Sequence, residues 1–216
     1  MLSDSPAGLM PDNSPRLSLG NPPPSAAPSS HPRLHLSVYD ERAAQRARVE
    51  RFIQAVYRRR YGARIAAWAP VLVALECGPD ILAAAGYRPA GEPLFLERYL
   101  DAPVEACLRV HARPAPPRER VVEVGHLAAV RLGAGRRLMP LLGRHLAAAG
   151  FEWVVSTATR ELRHLFRRMG LSPVVLGEAD PERLGADAAH WGTYYAHRPL
   201  VVAGSIAASM TQLKWR

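Results

Sequence analysis

Arg120-Val121-Val122-Glu123-Val124-Gly125-His126-Leu127-Ala128 runs on into Arg131-Leu132-Gly133-Ala134-Gly135-Arg136-Arg137, and these two blocks decide how the chain is read. The first is rich in β-branched residues and predicts a strand. The second predicts a glycine turn carrying three arginines. After it, Leu138, Leu141, Leu142, His145 and Leu146 fall on one stripe at helical spacing, and Gly150 closes the helix. Glu152–Thr157 predicts a second strand and Arg160–Met169 a second helix, stopped at Gly170. Strands that alternate with helices of this length pair in parallel as βαβ units. At the start of the first helix, backbone N–H groups and the positive end of the helix dipole make a place to hold an anion.

Upstream, Arg64–Leu75 is an apolar run interrupted by Pro70. Proline donates no ladder hydrogen bond, so an edge strand and two pieces around a bulge both stay open. Gly78-Pro79-Asp80 predicts a turn and Ile81–Tyr87 a strand, together an antiparallel hairpin. Gly91-Glu92-Pro93 turns the chain into Leu94–Leu100, read as a further strand, and Pro103–Leu108 predicts a helix turn. Val49, Phe52, Ile53, Val56 and Tyr57 repeat at helical spacing between Asp40, the expected N-cap, and Gly62, the stop. This basic amphipathic helix is expected to pack on the sheet, with a membrane surface as the alternative. Residues 1–36, with Pro22-Pro23-Pro24 and few large apolar side chains, are expected to be a disordered tail. Downstream, Val174–Leu176 predicts a strand, Asp180–Leu184 a helix turn, and Trp191–Tyr195 and Leu200–Val202 late strands around Pro199. One domain over 37–210 and a short tail at 211–216 complete the expectation.

The 216 residues carry a formal charge of +9, and Lys214 is the single lysine among 28 basic residues. Arginine bias with abundant Ala and Pro is what a GC-rich genome produces. The arginines are also spread out, without interleaved aromatics. Both points argue against nucleic acid and leave an anionic small molecule or a solvated surface. Cys77 and Cys107 read as two reduced, buried thiols. No zinc or calcium motif is present, so no metal is expected, and without a Gly-x-Ser-x-Gly elbow a serine hydrolase is unsupported. The runs Ile65–Leu75 and Leu200–Met210 fall short of the ~18–20 residues of a membrane span, and no basic-then-apolar leader opens the sequence. A cytoplasmic protein is expected.

The order helix, antiparallel hairpin, further strand, then strand–glycine turn–helix–strand–helix–strand resembles that of the GNAT acyltransferases. The fold class it implies is α/β: a mixed central sheet, antiparallel in its N-terminal half and βαβα in its C-terminal half, with helices on both faces. In that family the turn has a pattern close to Arg/Gln-x-x-Gly-x-Gly/Ala, which Arg131, Gly133 and Gly135 resemble at a spacing one residue short. At residue level five blocks look like the thermostable hemolysin family: Gly86–Ala90, Leu94–Leu100, Glu123–Ala128, Trp153–Thr159 and Trp191–Tyr195. His126 stands where that family's pattern has Asn. The Glu123 block is also similar to the central strand of acyl-homoserine-lactone synthases, which are GNAT relatives. The resemblance implies transfer of an acyl group from acyl-CoA or acyl-carrier protein to a small-molecule amine or hydroxyl. The family name records haemolysis, so two alternatives stay open: a membrane-damaging protein acting without catalysis, and a non-catalytic acyl-CoA-binding relative.

Under that resemblance Arg131, Gly133, Ala134, Gly135, Arg136 and Arg137 form a pyrophosphate cradle, against a plain capped turn with solvated arginines. Leu127, Ala128, Thr157 and Thr159 contact the acyl donor, or are ordinary strand residues. Glu123 sits in an apolar strand, where an unpaired carboxylate is costly. It is therefore either a base with a raised pKa or the partner of Arg88 or Arg98. Glu97 is a second candidate carboxylate, and Arg88, Arg98 and Trp153 are candidates for substrate contact. Alternation puts Glu123, Gly125 and Leu127 on one face and Val122, Val124 and His126 on the other, so His126 is expected in the core or on a backbone bond. Many GNAT enzymes protonate the departing thiolate with a tyrosine in the second helix; Phe166 stands there instead. Tyr194 and Tyr195 are the nearest substitutes in type, unless the thiolate leaves unprotonated.

Overall fold

Two antiparallel pairings join β1 (Leu34–Tyr39), β2 (Val71–Cys77) and β3 (Asp80–Pro89) in the computed structural model, which describes residues 33–212. Helix α1 (Arg46–Tyr61) connects β1 to β2. After a 3-10 helix at Phe95–Tyr99 and the short α2 (Val104–Leu108), β4 (Val121–Ala129) adds antiparallel to β3. Then follow α3 (Leu132–Ala148), β5 (Trp153–Ala158), α4 (Arg160–Arg168), β6 (Val174–Glu178), β7 (Leu200–Ser205) and α5 (Ile206–Gln212). The sheet order is β1-β2-β3-β4-β5-β7-β6, with β4 and β5 parallel and the other neighbours antiparallel. This is the mixed sheet expected from the sequence.

Period-two alternation divides the core between the two faces. Leu72, Ala74 and Ala84 pack with Val49, Ile53 and Tyr57 of α1. Val73, Leu75, Ala83, Ala85, Val122 and Val124 pack on the opposite face with Leu138, Leu142 and Leu146 of α3. Those three leucines, four residues apart, are at most 3% exposed, and each contributes about 1.5–3 kcal/mol by burial. Helix α1 ends at Gly62, whose φ of 66° returns its N–H to Arg58 O at 2.9 Å.

Several elements depart from the sequence expectation. Leu34–Tyr39, which begins inside the expected tail, is a strand because its alternating residues find β2 as a partner, from Leu34↔Cys77 to Tyr39↔Leu72. The rest of that expected tail, up to residue 32, lies outside the described residues, as do residues 213–216. Asp40 caps a turn ahead of α1 through Arg42 N–H (2.9 Å); the helix itself starts six residues later, at Arg46. Pro70 immediately precedes β2 and stays out of the ladder. Leu94–Leu100 is no strand, because carboxylates of Glu97 and Glu123 bind the N–H groups of Leu94, Phe95 and Leu96 and start a 3-10 helix. Trp191–Tyr195 is no strand either. Two 3-10 helices, Pro181–Trp191 and Tyr194–His197, meet there around Gly192 at φ 53°. A Cβ at Gly192 would collide with Tyr61 O, and Thr193 N–H bonds to the same oxygen at 2.8 Å. The end of α1 holds this segment.

Candidate active site

β4 is paired to β5 only at Val121↔Trp153, Val122↔Val154 and Glu123↔Val155. Beyond Glu123, β4 stays with β3 while β5 continues with β7, so the two parallel strands part. In the same stretch β4 gains a residue on β3: Gly86↔Gly125 is followed by Ala84↔Ala128. His126 lies in this bulge at φ 52°. One extra residue reverses the facing of the strand beyond it. His126 therefore joins Glu123 and Gly125 on the α1 face, and Leu127 turns to the α3 core. This corrects the simple alternation, which placed His126 opposite Glu123. The His126 ring lies 5.3 Å from that of Trp68, and only a glycine at 86 leaves room for its Nδ1. Burial pushes its pKa down to about 4, so it is neutral at physiological pH.

The parted strands open into a chamber of about 660 Å³, closed by the C-terminal half of α1, the 3-10 helix Phe95–Tyr99 and the Trp191–Tyr194 segment. Tyr57, Tyr61, Phe95, Trp191 and Tyr194 supply an aromatic wall. Arg59, Arg60, Arg64, Arg88, Arg98 and Arg131 face three carboxylates, Glu123, Glu161 and Asp187. Arg98 is bound to Asp187 at 2.9 Å and Arg60 lies 4.0 Å from Glu161, which leaves the chamber positive and suited to an anion. His126 Nδ1, Thr157 Oγ1 and Glu161 Oε2 are buried without a hydrogen-bond partner, and all three belong to residues of this wall. Orphaned buried polar atoms are rare in folded chains, and these three all lie along the chamber wall.

Glu123 sits where the strands begin to part, 8% exposed. Its oxygens accept the N–H of Phe95 (2.7 Å) and Leu96 (3.1 Å). Burial raises its pKa to about 7, against the pull of those two amides and of Arg88, its neighbour across the ladder. The ion pair with Arg88 or Arg98 is not made. Arg88 donates to Trp68 O at 3.3 Å and lies 4.0 Å from Glu92, while Arg98 holds Asp187 and Leu184 O.

Glu97 lies outside the chamber wall. Arg118 grips it at 2.6 and 2.8 Å and lowers its pKa, and the amides of Leu94 and Val104 take its remaining acceptor positions. Tyr194 stands in the wall with its O–H donating to Thr157 O at 3.2 Å, kept protonated by burial. Tyr195 is outside the wall, its O–H 2.6 Å from Tyr99 O–H. Leu127, Ala128, Thr157 and Thr159 all line the chamber, and Thr159 also caps α4 through Leu162 N–H at 3.3 Å. Arg131 is the N-cap of α3, and Gly133, Ala134 and Gly135 fall inside its first turn rather than before it. No side chain caps that turn and it holds no acidic residue. Arg131 and Gly135 face the chamber, Gly133, Arg136 and Arg137 are exposed outside its wall, and Ala134 is buried with its N–H on Arg131 O. Trp153 packs away from the chamber, in the core under the Phe95–Tyr99 helix. Phe166 lines a separate cavity of about 160 Å³. The aromatic wall went unnoticed in the sequence because it is gathered from three distant segments, with no local spacing to mark it. Among the described residues no helix is long and apolar enough to cross a membrane, and no three His, Cys, Asp or Glu side chains are grouped to hold a metal.

A family model described as thermostable hemolysin matches residues 39–210. Among solved structures, the AHL synthase LasI is similar with a TM-score of 0.61 at 11% identity, over 85% of this chain and 95% of its own. FeeM, an N-acyl amino acid synthase from uncultured soil microbes, gives 0.58 at 13% identity, over 86% and 97%. BjaI, a CoA-dependent acyl-homoserine lactone synthase solved with SAM and isopentyl-CoA, gives 0.54 at 12% identity, over 84% and 88%. Among curated proteins none is significantly similar in sequence. At these identities the structural likeness is one of fold, the GNAT-like fold expected from the sequence.

Proposed function

The chain belongs to the thermostable hemolysin family, and from that premise we propose that it is an acyltransferase moving an acyl group from a phosphopantetheine thioester to an amine. The observation that carries this is the parting of β4 from β5 beside an uncapped helix N-terminus, with a carboxylate of raised pKa where they separate. A thioester needs an opening between strands, a diphosphate needs unpaired amides and positive charge, and an amine nucleophile needs a base. FeeM is by name an N-acyl amino acid synthase and BjaI was solved with isopentyl-CoA, which supports an amine acceptor and a coenzyme A donor. Acyl-carrier protein offers the same phosphopantetheine arm.

Arg131 and the first-turn amide at Gly133 receive the diphosphate, Gly135 keeps the chamber side of that turn free of a side chain, and Arg136 and Arg137 stand at its solvent side. Leu127, Ala128, Thr157 and Thr159 border the pantetheine arm. The amine nitrogen attacks the thioester carbonyl carbon and a C–N bond forms. Glu123 takes the ammonium proton, which its pKa near 7 permits at neutral pH. The C–S bond then breaks and the sulfur leaves as thiolate, an anion accessible near pH 8.5. Tyr194, too weak an acid to surrender its proton, turns its O–H from Thr157 O to that sulfur. Arg88 and Arg98 border the acceptor.

Thermal denaturation with coenzyme A, acetyl-CoA and longer acyl-CoAs tests the reading. A donor at 100 times its dissociation constant adds about 2.7 kcal/mol, roughly 5–10 °C for a domain of this size. Gly125→Val serves as the control. Nothing lies within 4 Å of a Cβ at Gly125, so the added side chain meets no backbone at its base and projects into the chamber where β4 and β5 part. It is expected to melt like the parent and to show no shift. Absence of any shift in the parent protein rejects the donor assignment.

A further inference from the structure

The positive charge of the chamber is free at one end only. Arg88, across the ladder from Glu123, donates to Trp68 O and lies 4.0 Å from Glu92, and Arg98 holds Asp187 and Leu184 O. At the end of α1, Arg59 and Arg64 are exposed and line the chamber. Among the described residues neither of their guanidinium groups has a hydrogen-bond or ion-pair partner. The sheet gives the distance between this end and Glu123. Glu123 pairs with Val155 of β5, whereas Tyr61 faces Thr159 and Arg60 lies 4.0 Å from Glu161, both at the start of α4. Thr159 is four residues beyond Val155, so at 3.3 Å per residue the arginine end lies roughly 13 Å from Glu123. A row of rings spans that gap. Phe95, whose N–H holds Glu123, is followed by Trp191 at 5.7 Å, Tyr194 at 5.2 Å and Tyr61 at 5.2 Å, with Arg60 5.3 Å from the last ring.

We propose that the acyl acceptor is an elongated amine with an anionic group at its far end. Its amine reaches Glu123, an apolar or aromatic body lies along the row of rings, and the anion rests on Arg59 and Arg64. The proposal rests on the acyltransferase reading. An α-amino acid fits this charge pattern poorly. Its carboxylate sits on the carbon that bears the amine, so it would meet the engaged Arg88 and leave the two free arginines unused. Planar guanidinium groups bind a carboxylate or phosphate through charge-assisted hydrogen bonds, and two unpaired ones at the rim place that anion near solvent. Ring faces supply large apolar contact for the body between. A chamber of about 660 Å³ is also in the range of sites that take drug-sized ligands. The donor arm keeps to the parted strands and the acceptor to the α1 side. The donor's diphosphate has Arg131 on a different element, so the two anions do not compete for one group. Three backbone bonds span at most about 3.6 Å, about 1.2 Å a bond, so roughly 13 Å corresponds to a body of about ten methylenes.

The test uses ω-amino carboxylic acids, from glycine up to a chain of fourteen methylenes, with unbranched alkylamines of the same lengths beside them. An acyl-CoA is the donor and thiol release is followed. KM is expected to fall along the acid series to a minimum near ten methylenes. There it should lie about tenfold below that of the matching alkylamine, the worth of hydrogen bonds to a charged group. Arg59→Gln combined with Arg64→Gln should erase that tenfold advantage, and the KM of the donor should not follow. Both positions are exposed, so the substitutions disturb no core packing. A flat acid series, glycine as the best acceptor, or a variant that loses donor affinity instead overturns the inference and leaves the acyltransferase reading standing. Binding of acyl-CoA with no member acylated overturns this inference alone. Absence of acyl-CoA binding overturns both.

Discussion

Replacing Glu123 by glutamine should remove one pH-dependent contribution to the stability of this protein, the one lost between about pH 4.5 and 7. The carboxyl is raised from 4.5 to about 7 in the folded chain, mainly by burial. Between those values the folded state holds a proton that the unfolded chain has released. The stability linked to that proton is therefore complete below about pH 4.5 and is lost as pH rises through about 7. The shift corresponds to about 3 kcal/mol at 1.36 kcal/mol per unit. Glu123→Gln keeps a neutral group that still offers an oxygen to the Phe95 amide and has no proton to lose. Urea denaturation of both proteins from pH 4.5 to 8.5 isolates the effect, since all other titrating groups cancel in the difference. Relative to the variant, the parent should weaken by about 3 kcal/mol across that range. Parallel curves would show an ordinary carboxylate and refute the reasoning. In turnover the sign is opposite: the base must be ionised, so the rate should climb with pH through about 7. Glu123→Gln should abolish turnover and retain donor binding. Unchanged turnover would leave Glu123 only its role of holding the Phe95–Tyr99 helix.

Tyr194→Phe should cut turnover by about 10–100-fold, the loss of one hydrogen bond to a developing anion, with donor affinity unchanged. A variant as fast as the parent would remove Tyr194 from the reaction. Gly192→Ala should lower stability by about 3 kcal/mol or more, because a Cβ at φ 53° meets Tyr61 O, and should loosen the Trp191–Tyr194 wall. A normal melting temperature would show that the segment does not depend on that contact.

By itself the sequence determined what depends on spacing along one segment. The leucine stripe of α3, the stop at Gly62, the β2–β3 hairpin and the parallel β4–β5 unit all follow from periodicity and glycine placement. The family blocks then indicated the fold and the strand carrying Glu123. Tertiary structure alone decided what needs a partner from elsewhere. Leu34–Tyr39 becomes a strand only because β2 offers it an edge, and Trp191–Tyr195 bends because Tyr61 O occupies the space a strand would need. The bulge that swings His126 onto the Glu123 face is a mismatch between β3 and β4, written in neither strand. Glu123 bonds amides rather than an arginine because the Phe95–Tyr99 helix folds over it. Local pattern sets which face a residue can choose within its own element; register and long-range contact set what that face finally meets.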